Sequence, residues 1–320
     1  MRASIAVAVL ALAASVMATA GEQASPFLGK WNMTGVAPDV NNVYWLEVTQ
    51  EGDQLKGMFL NRSGNPVPVT VKVDSSELVF QVLQSPRGGG PAAPSGPEYR
   101  ARLEGGKLVG SHTTGGRVVN WVGVRPPAWP AANANARHTY GKPVVLADGK
   151  TLDAWTYQNL KLSNSWSIQD GTMTNAYPDP STNIVSKEKF TDFKVEIEYK
   201  LPKGSNSGLY LRGRYELQLV EDSGDTTTPA NRSHMSIYGR TAPSVRAGKG
   251  PDEWQSMEAI VVANRVTVTL NGQRVHDNAV IEGITGGALD NDELAPGPIL
   301  VQGDHSKVWV RKLVVTPIVK

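Results

Sequence analysis

The sequence predicts an all-β protein built from two antiparallel β domains in series. The chain has 320 residues, of which 32 are glycine, 21 are proline and 40% are hydrophobic, and this length corresponds to about two domains. Beyond the first twenty residues, apolar and polar residues alternate in many short runs, and no long run has the period of a helix. Glycine and proline between these runs are typical of strands joined by turns.

The first twenty residues have the pattern of a cleavable export signal. Arg2 provides a short positive start, residues 5–16 are apolar, and Ala18-Thr19-Ala20 matches a small-x-small cleavage site. The apolar run is too short to span a bilayer, and no later segment approaches the required length of about 20 apolar residues. We therefore expect a periplasmic or secreted protein that starts at Gly21 and has no transmembrane segment. A lipid anchor is not expected, because no cysteine follows the run.

Composition excludes several classes of function. The formal net charge of +2 does not fit a strongly basic nucleic-acid surface or a polybasic membrane patch. The absence of cysteine excludes disulfides, thiolate catalysis, iron–sulfur clusters and cysteine-based zinc sites. Phosphate-loop, dinucleotide-binding and nucleophile-elbow motifs are also absent from the sequence.

The first β domain is predicted over residues 25–125. Glu51-Gly52-Asp53 and residues 104–106 have the composition of hairpin turns, and Phe27–Trp31 is similar to the opening strand of lipocalin-like barrels. A small antiparallel barrel or sandwich is therefore expected, with no regular structure in the glycine- and proline-rich segment 85–97. The predicted strands are Tyr44–Gln50, Gln54–Leu60, Val67–Val73, Glu77–Leu83, Glu98–Leu103, Lys107–Ser111 and Val118–Val124.

A proline-, alanine- and asparagine-rich linker is predicted over residues 126–143, with Trp129 holding it to one domain. The second domain, 144–320, carries about ten strands, which is the size of a sandwich or jelly roll. Asn271-Gly272 is a strong hairpin signal. The predicted strands include Trp166–Ile168, Asn183–Ser186, Lys194–Leu201, Gly208–Arg212, Tyr215–Val220, Met257–Val262, Arg265–Leu270, Gly297–Gln302 and Val308–Pro317.

This second domain resembles the 3-keto-disaccharide hydrolase family, whose members are also described as 3-keto-glucoside lyases and hydratases. Six segments carry the resemblance in order over residues 144–317: LADGKTLDAW, SIQDGTMTN, SNSGLYLRGRYELQLVED, DEWQSMEAIV, VTLNGQRVHDN and TGGALDNDELAPGPILVQGDHSKVWVRKLVV. The sequence departs from the family pattern before Tyr238 and at Lys312-Leu313. The resemblance does not cover the first domain.

The resemblance implies a concanavalin-like jelly roll and an enzyme that cleaves 3-keto-glycosides or 3-keto-disaccharides by elimination and hydration. A separate sugar oxidoreductase must then supply the 3-keto sugar, because this chain has no flavin or nicotinamide motif. Two alternatives remain: a non-catalytic, lectin-like envelope protein on the same fold, and an envelope interaction protein whose first domain is the functional half.

Strand alternation selects the candidate site residues. In the run 215–220 the odd-numbered residues are apolar and suit the core, whereas Glu216 and Gln218 lie on the opposite, polar face. Arg212 has the same parity on the preceding strand, and Gln302 and Asp304 form another even-numbered polar pair. This face suits a sugar-binding floor, and the alternative is a solvated outer face.

The 3-keto chemistry requires a base for the C2 proton and a stabiliser for the enolate oxygen. Glu216 or His305 could be the base, and Arg212, Gln218 or a divalent cation could stabilise the enolate. Glu216 and Asp222 would lie about 20 Å apart along a continuous strand, too far for the carboxylate pair of an ordinary glycosidase. No cofactor is predicted beyond a candidate divalent metal held by Glu216, Asp222 and His305.

Other side chains are candidates for binding the saccharide. Tyr238 and Trp254 could stack on a sugar ring, although core packing is the commoner fate of aromatic residues. Asn206 belongs to an Asn-Ser-Gly segment that marks either a turn toward the polar face or a tight hairpin.

Overall fold

A computed structural model describes residues 25–86, 90–178, 180–225 and 227–319. The predicted export signal lies outside these residues. Within them, no helix is long and apolar enough to cross a membrane. The fold is all-β, as the alternating runs predicted, and helical structure is confined there to single 3₁₀ turns at Ser25–Phe27, Leu160–Leu162 and Ala230–Arg232.

Eight strands close into an antiparallel barrel in which each strand pairs with its neighbour in sequence and the first strand pairs with the eighth. The strands are Gly29–Gly35 (β1), Val43–Glu51 (β2), Gln54–Asn61 (β3), Val67–Asp74 (β4), Glu77–Gln84 (β5), Ala93–Glu104 (β6), Lys107–Thr114 (β7) and Arg117–Val124 (β8).

The barrel interior is filled by aromatic and aliphatic side chains. Phe59, Phe80 and Tyr99 pack ring against ring, with centroids 4.8 to 5.2 Å apart, and Trp31 and Trp121 are fully buried beside them. Such packing follows from alternation along short strands, because every second side chain points inward. The barrel is therefore a packed body rather than an open cup.

The segment 85–97 differs in part from its prediction. β6 begins at Ala93, because Ala93 pairs with Gln84 and Ser95 pairs with Val82, and a register shift separates these pairs from the pair of Gln81 with Glu98. Proline is tolerated here because its missing N–H removes only one ladder bond at an irregular position. The connection between β5 and β6 is therefore shorter than the predicted irregular segment 85–97.

The predicted linker is attached to the second domain along most of its length. The guanidinium of Arg212 lies 5.7 Å from the centre of the Trp129 ring, and the Ala134 amide donates to Asn278 Oδ1 at 2.9 Å. Thr139 and Tyr140 pair with the last strand of the chain. Because of these contacts, the chain from Trp129 onward packs with the second domain.

The second domain is a two-sheet jelly roll. Its strands are Thr139–Tyr140 (β9), Val144–Ala147 (β10), Trp155–Tyr157 (β11), Trp166–Gln169 (β12), Thr172–Asn175 (β13), Ile184–Phe190 (β14), Phe193–Lys200 (β15), Asn206–Leu211 (β16), Tyr215–Val220 (β17), Gln255–Val262 (β18), Arg265–Leu270 (β19), Gln273–Val280 (β20), Gly297–Val301 (β21) and Trp309–Val319 (β22). One sheet has the order β12-β13-β22-β15-β18-β19-β20, with β9 and β10 also paired to β22, and the other has the order β11-β14-β21-β16-β17.

The two sheets bury a common hydrophobic core between them. β15 shows why: its burial alternates strictly, so that Val195, Ile197 and Tyr199 face the core and the intervening residues face outward. In contrast, β16 and β17 are buried on both faces. Their second face is covered by another part of the molecule.

That cover includes segments 233–241 and 284–295 of the jelly-roll domain, which hydrogen-bond to β16 and β17. The barrel docks against these segments on the five-stranded side. Val43, Trp45 and Leu60 of the barrel form a small buried cluster with Ile284 and Ala288 of the jelly roll. Hydrogen bonds also cross this interface. Asn291 Nδ2 donates to the carbonyls of Met33 (2.5 Å) and Tyr44 (3.2 Å), and the buried Asn32 Nδ2 donates to Glu293 Oε1 (2.7 Å). The docking therefore combines apolar burial with directional hydrogen bonds.

The core of the jelly roll predicts the effect of truncating Leu313, which is fully buried in β22. Leu313→Ala should lower the free energy of unfolding by about 2 to 5 kcal/mol, because it removes buried methyl groups and leaves a cavity. Leu160→Ala is the control, since Leu160 is 71% exposed, and it should change stability by less than about 0.5 kcal/mol. Urea unfolding followed by circular dichroism measures both, and equal midpoints for the two variants would contradict this core assignment.

Candidate active site

The polar face of β17 forms the floor of a cleft between the jelly roll and the barrel. Leu217 and Leu219 point into the jelly-roll core, so alternation turns Glu216 and Gln218 to the opposite face. The cleft has a volume of about 560 Å³, within the usual 300–1,000 Å³ of ligand cavities. Its lining comprises Asn41, Val43, 61–64, Gln158, Asn183, Asn206, Tyr210, Glu216, Gln218, Tyr238, 286–288, Gln302, Asp304 and His305.

β16 continues this floor. Its Tyr210 is paired with Glu216 and its Gly208 with Gln218, so the even-numbered residues of both strands share the cleft face. A Cβ atom on Gly208 would lie 2.3 Å from Glu216 Oε1, closer than any non-bonded contact allows. The glycine therefore provides the space that the Glu216 carboxyl group occupies.

Glu216 is almost fully buried, with 3% of its surface exposed. Loss of hydration disfavours the charged carboxylate and raises the pKa of Glu216 to about 8; a hydrogen bond with Tyr210 and the nearby His305 oppose that rise only in part. The Glu216 backbone is held by Thr285, whose hydroxyl accepts from its amide at 2.8 Å. At neutral pH the side chain is consequently an acid that can donate a proton or a hydrogen bond.

His305 and Asp304 form a hydrogen-bonded pair at the open side of the cleft. Nδ1 of His305 lies 2.7 Å from Asp304 Oδ1, and this hydrogen bond, together with the charge of Asp304, raises the pKa of His305 above its usual value. A carboxylate that accepts from Nδ1 fixes the ring tautomer and leaves Nε2 as the basic nitrogen. Both side chains are about half exposed, so they remain accessible to a ligand.

Amide groups line the rest of the floor. The Gln218 side chain is satisfied when its nitrogen faces Glu216 Oε1 at 3.2 Å and the Ser207 carbonyl at 3.1 Å. Oε1 of Gln302 is buried without a protein partner among the described residues. Tyr238 follows a segment that pairs with the outer edge of β17, and its amide donates to the Glu216 carbonyl at 3.0 Å. A polyhydroxylated ligand can use such donors and acceptors.

The barrel provides the opposite wall of the cleft. Asn41 and Val43 contribute from the start of β2, and residues 61–64 contribute from the turn between β3 and β4. The turn is held to the jelly roll by a hydrogen bond from the Gly287 amide to the Arg62 carbonyl at 2.7 Å. The cleft therefore belongs to two domains.

The structure brings most of the sequence-predicted site residues together. Seven of them line the cleft: Glu216, His305, Gln218, Asn206, Tyr238, Gln302 and Asp304. Alternation identified Glu216, Gln218, Gln302 and Asp304, and the family resemblance supported His305. Their roles in binding or catalysis remain predictions.

Arg212 differs from its expected place on the cleft face. It is buried outside the cleft, where its guanidinium donates to the Thr191 carbonyl at 2.6 Å and to Asp192 at 3.0 Å. The reason is local geometry: Arg212 lies in the turn after β16 with a φ of +55°, and such a turn interrupts the alternation on which the expectation depended. Its contacts are structural ones.

Trp254 also lies away from the cleft. It precedes β18, in the opposite sheet, where the side chains of Lys200 and Arg311 lie 5.4 and 4.4 Å from the centre of its ring. The sheet assignment explains the difference, because β18 and β17 belong to different layers. Trp254 is therefore not placed to stack on a ligand in the cleft, whereas Tyr238 lines it.

The candidate metal set is not assembled. β17 ends at Val220, and Asp222 turns into a separate cavity, where its carboxylate accepts from the His234 amide at 3.0 Å and lies 3.4 Å from Arg246. Glu216 and His305 line the main cleft. In the described part of the chain, no three His, Asp or Glu side chains are grouped as metal ligands.

Sequence reasoning missed several cleft residues. Tyr210 shares the even parity of Glu216 on the neighbouring strand, and the pattern Gly-Leu-Tyr-Leu contained that signal. Its hydroxyl donates to the Gly286 carbonyl at 2.8 Å. The barrel residues had no signal of their own, since their place in the cleft depends on how two domains dock.

Comparison with known proteins bears on the jelly roll. The family described as 3-keto-alpha-glucoside-1,2-lyase-like domain matches residues 142–316, more than half of the chain. The chain belongs to this family. A 3-keto-disaccharide hydrolase from Bacteroides thetaiotaomicron is 27% identical over 164 residues, covering 41% of this chain and 57% of that protein.

Two solved structures from Parabacteroides distasonis, both provisionally assigned as glycosyl hydrolases, are similar to the 3-keto-alpha-glucoside-1,2-lyase-like domain of this chain. One is 29% identical with a TM-score of 0.46 and covers 54% of this chain and 82% of its own. The other is 22% identical with a TM-score of 0.45 and covers 55% of this chain and all of its own. The family match begins after the barrel, so the barrel wall of the cleft is an addition to the family domain.

The buried carboxyl group in the family domain predicts an unusual titration. Carbon-13 NMR of labelled glutamate should show one carboxyl group with a pKa of about 8, and Glu216→Gln should remove that signal. Because the folded pKa exceeds the ordinary value, the folded state holds this proton more tightly. Wild-type stability relative to Glu216→Gln should therefore fall as pH rises from about 5 to 8 and level off above it.

Gly208→Ala tests the same titration by displacing the Glu216 carboxyl group instead of removing it. Its Cβ would force the Glu216 carboxyl group out of its place, so the pKa should move back toward the ordinary value. Gly250→Ala is the control, because its Cβ would meet only the end of the Glu253 side chain. A carboxyl group that titrates near pH 4.5 in the wild type would contradict this account of the site.

Proposed function

We propose that this protein is a glycoside-cleaving enzyme that acts on saccharides oxidised at C3. The observation that carries the proposal is that a buried acid, Glu216, and an aspartate-oriented imidazole, His305, face one polar cleft. Family membership supports the substrate class, and the name of the Bacteroides relative supports cleavage of a 3-keto-disaccharide. The abundance of amide groups in the cleft suits a sugar ring.

The first step is removal of the C2 proton. A ketone at C3 makes this proton acidic, and His305 takes it through Nε2 while Asp304 stabilises the resulting imidazolium. The electrons of the C2–H bond move to the C3 oxygen and form an enolate. Neutral Glu216 donates a hydrogen bond to that oxygen, as a carboxylic acid with a raised pKa can do at neutral pH.

The second step is elimination of the C1 substituent. The enolate reforms the C3 ketone, a C1–C2 double bond forms, and the C1–O bond breaks; the leaving oxygen takes a proton from the His305 imidazolium. Water then adds to C1 of this enone, with its proton returning to C2, so that the sum of the steps is hydrolysis. Gln218 and Tyr238 hold the ring in this scheme.

None of these steps uses a divalent metal ion. The expected ligands Glu216, Asp222 and His305 do not converge, and the structure groups no other such set among the residues that it describes. The scheme also requires a supply of 3-keto sugar, which a separate sugar oxidoreductase must provide. This chain contributes the cleavage only.

The pH dependence of cleavage tests the assignment of acid and base. With 3-keto-trehalose or a 3-keto-β-glucoside, kcat/KM should rise as His305 loses its proton and fall as Glu216 ionises near pH 8. Glu216→Gln should lower kcat/KM by on the order of 10²–10³-fold and remove the upper limb. His305→Gln should lower it by on the order of 10²–10⁴-fold, and NMR should show the enone as an intermediate.

His138→Gln is the control, since His138 lies on the segment before the jelly roll and outside the cleft. A rate that rises through pH 8 would make Glu216 the base and overturn the assignment. Full activity of Glu216→Gln would remove it from the mechanism. Loss of activity in EDTA would restore a metal to it, whereas saccharide binding without any cleavage would indicate a carbohydrate-binding protein.

We also propose that the enzyme is exported to the periplasm or secreted. The support is the charged start, the apolar run 5–16 and the small residues 18–20. Mass spectrometry of the protein purified from its natural host should give an N-terminus at Gly21. An intact Met1 in the mature protein would show that the segment is retained.

A further inference from the structure

The barrel turn 61–64 lies against the part of the jelly roll that also holds the candidate acid. A Cβ atom on Gly286 would lie 2.2 Å from the Gly64 carbonyl oxygen, so the two backbones are in direct contact. The Gly286 carbonyl accepts from Tyr210, and the neighbouring Thr285 accepts from the Glu216 amide. One tripeptide, 285–287, therefore joins the barrel turn to the floor of the cleft.

The turn is fixed in other ways as well. Gly239 approaches Asn65 so closely that a Cβ atom would lie 2.7 Å from the Asn65 side chain. Arg62 itself has a φ of +45°, a left-handed conformation that is uncommon for a residue with a side chain. Such a conformation persists where surrounding contacts enforce it, and it is often found at ligand sites. These contacts hold the turn against the jelly roll on its side of the cleft.

The charges of the cleft are divided between the two domains. The jelly roll contributes the carboxyl groups of Glu216 and Asp304, and the barrel contributes Arg62, which is the one lysine or arginine in the lining among the described residues. Over the same residues, Arg62 forms no salt bridge, whereas Arg117 and Arg102 on the same barrel do. Arg62 lines the cleft and is exposed, and its guanidinium has no carboxylate partner among the described residues, so it is free to pair with a ligand on this side of the cleft.

We infer that Arg62 binds a carboxylate on the leaving group of the substrate, so that the preferred substrates are 3-keto-glycosides of acidic aglycones. The inference rests on the proposed function for the orientation of the ligand: the 3-keto ring lies over Glu216 and Gln218, and the C1 substituent extends toward the barrel wall. A guanidinium fork matches a carboxylate with two parallel hydrogen bonds. Asn41, Asn61 and Ser63 lie beside Arg62 and add neutral donors.

Binding of matched glucosides tests this inference without requiring cleavage. The probes are 4-carboxyphenyl β-glucoside and its neutral isostere 4-carbamoylphenyl β-glucoside, titrated by calorimetry against the full chain. The carboxylate should bind about tenfold more tightly, and added salt should weaken that preference. Arg62→Gln should abolish the preference while leaving the affinity for the carbamoyl probe unchanged, and Arg62→Lys should retain part of it.

Arg102→Gln is the matched control, because Arg102 is a barrel arginine of equal charge that lies outside the cleft. Equal affinities for the two probes in the wild type, or an unchanged preference in Arg62→Gln, would overturn the inference. If neutral 3-keto-glycosides are cleaved but the two probes bind equally, the proposed function holds and the inference about Arg62 is wrong. A preference for the carboxylate that Arg62→Gln removes, in a protein without cleavage, would support the inference and refute the proposed function.

Discussion

The burial of the Glu216 carboxyl group is the constraint on which the rest of the site depends. An ionisable side chain can remain in a nearly dry position only if its neighbours leave room for it, offer hydrogen bonds and exclude water. Gly208 leaves the room, Gln218 offers a hydrogen bond, and the segments that contain Thr285 and Tyr238 contact the Glu216 backbone.

Most of the fold could be predicted because antiparallel strands produce a recognisable local sequence pattern. Side chains alternate with a period of two, so the barrel and jelly-roll strands appear directly as alternating runs. The hairpin at Asn271-Gly272 has φ values of +49° and +83°, which is the conformation that this pair of residues favours. Local composition was less informative at Ala93, where strand pairing with Gln84 prevailed over a run of prolines and glycines.

The candidate site was predictable only where it follows from alternation or from a family pattern. Glu216 and Gln218 were indicated by both signals, and both lie in the cleft. Arg212 was indicated by alternation but lies outside the cleft, because a positive φ in the turn rotates its side chain away. Asp222 also lies outside the cleft, because β17 ends two residues before it and the alternation stops there. No rule applied to single strands could have placed Arg62, because its position is determined by contacts between residues more than 200 positions apart in the chain.

The division of the cleft between two separately packed cores also bears on engineering. Of the residues that would carry out bond cleavage, His305 lies in the loop after β21 and Glu216 lies on β17, an edge strand that is buried on both faces. A substitution at Glu216 therefore disturbs packing. The opposite wall includes the turn 61–64, whose side chains are exposed and whose backbone is in contact with the jelly roll. Leaving-group selectivity should thus be open to redesign by exchanging the side chains of this turn, with the reaction centre left untouched.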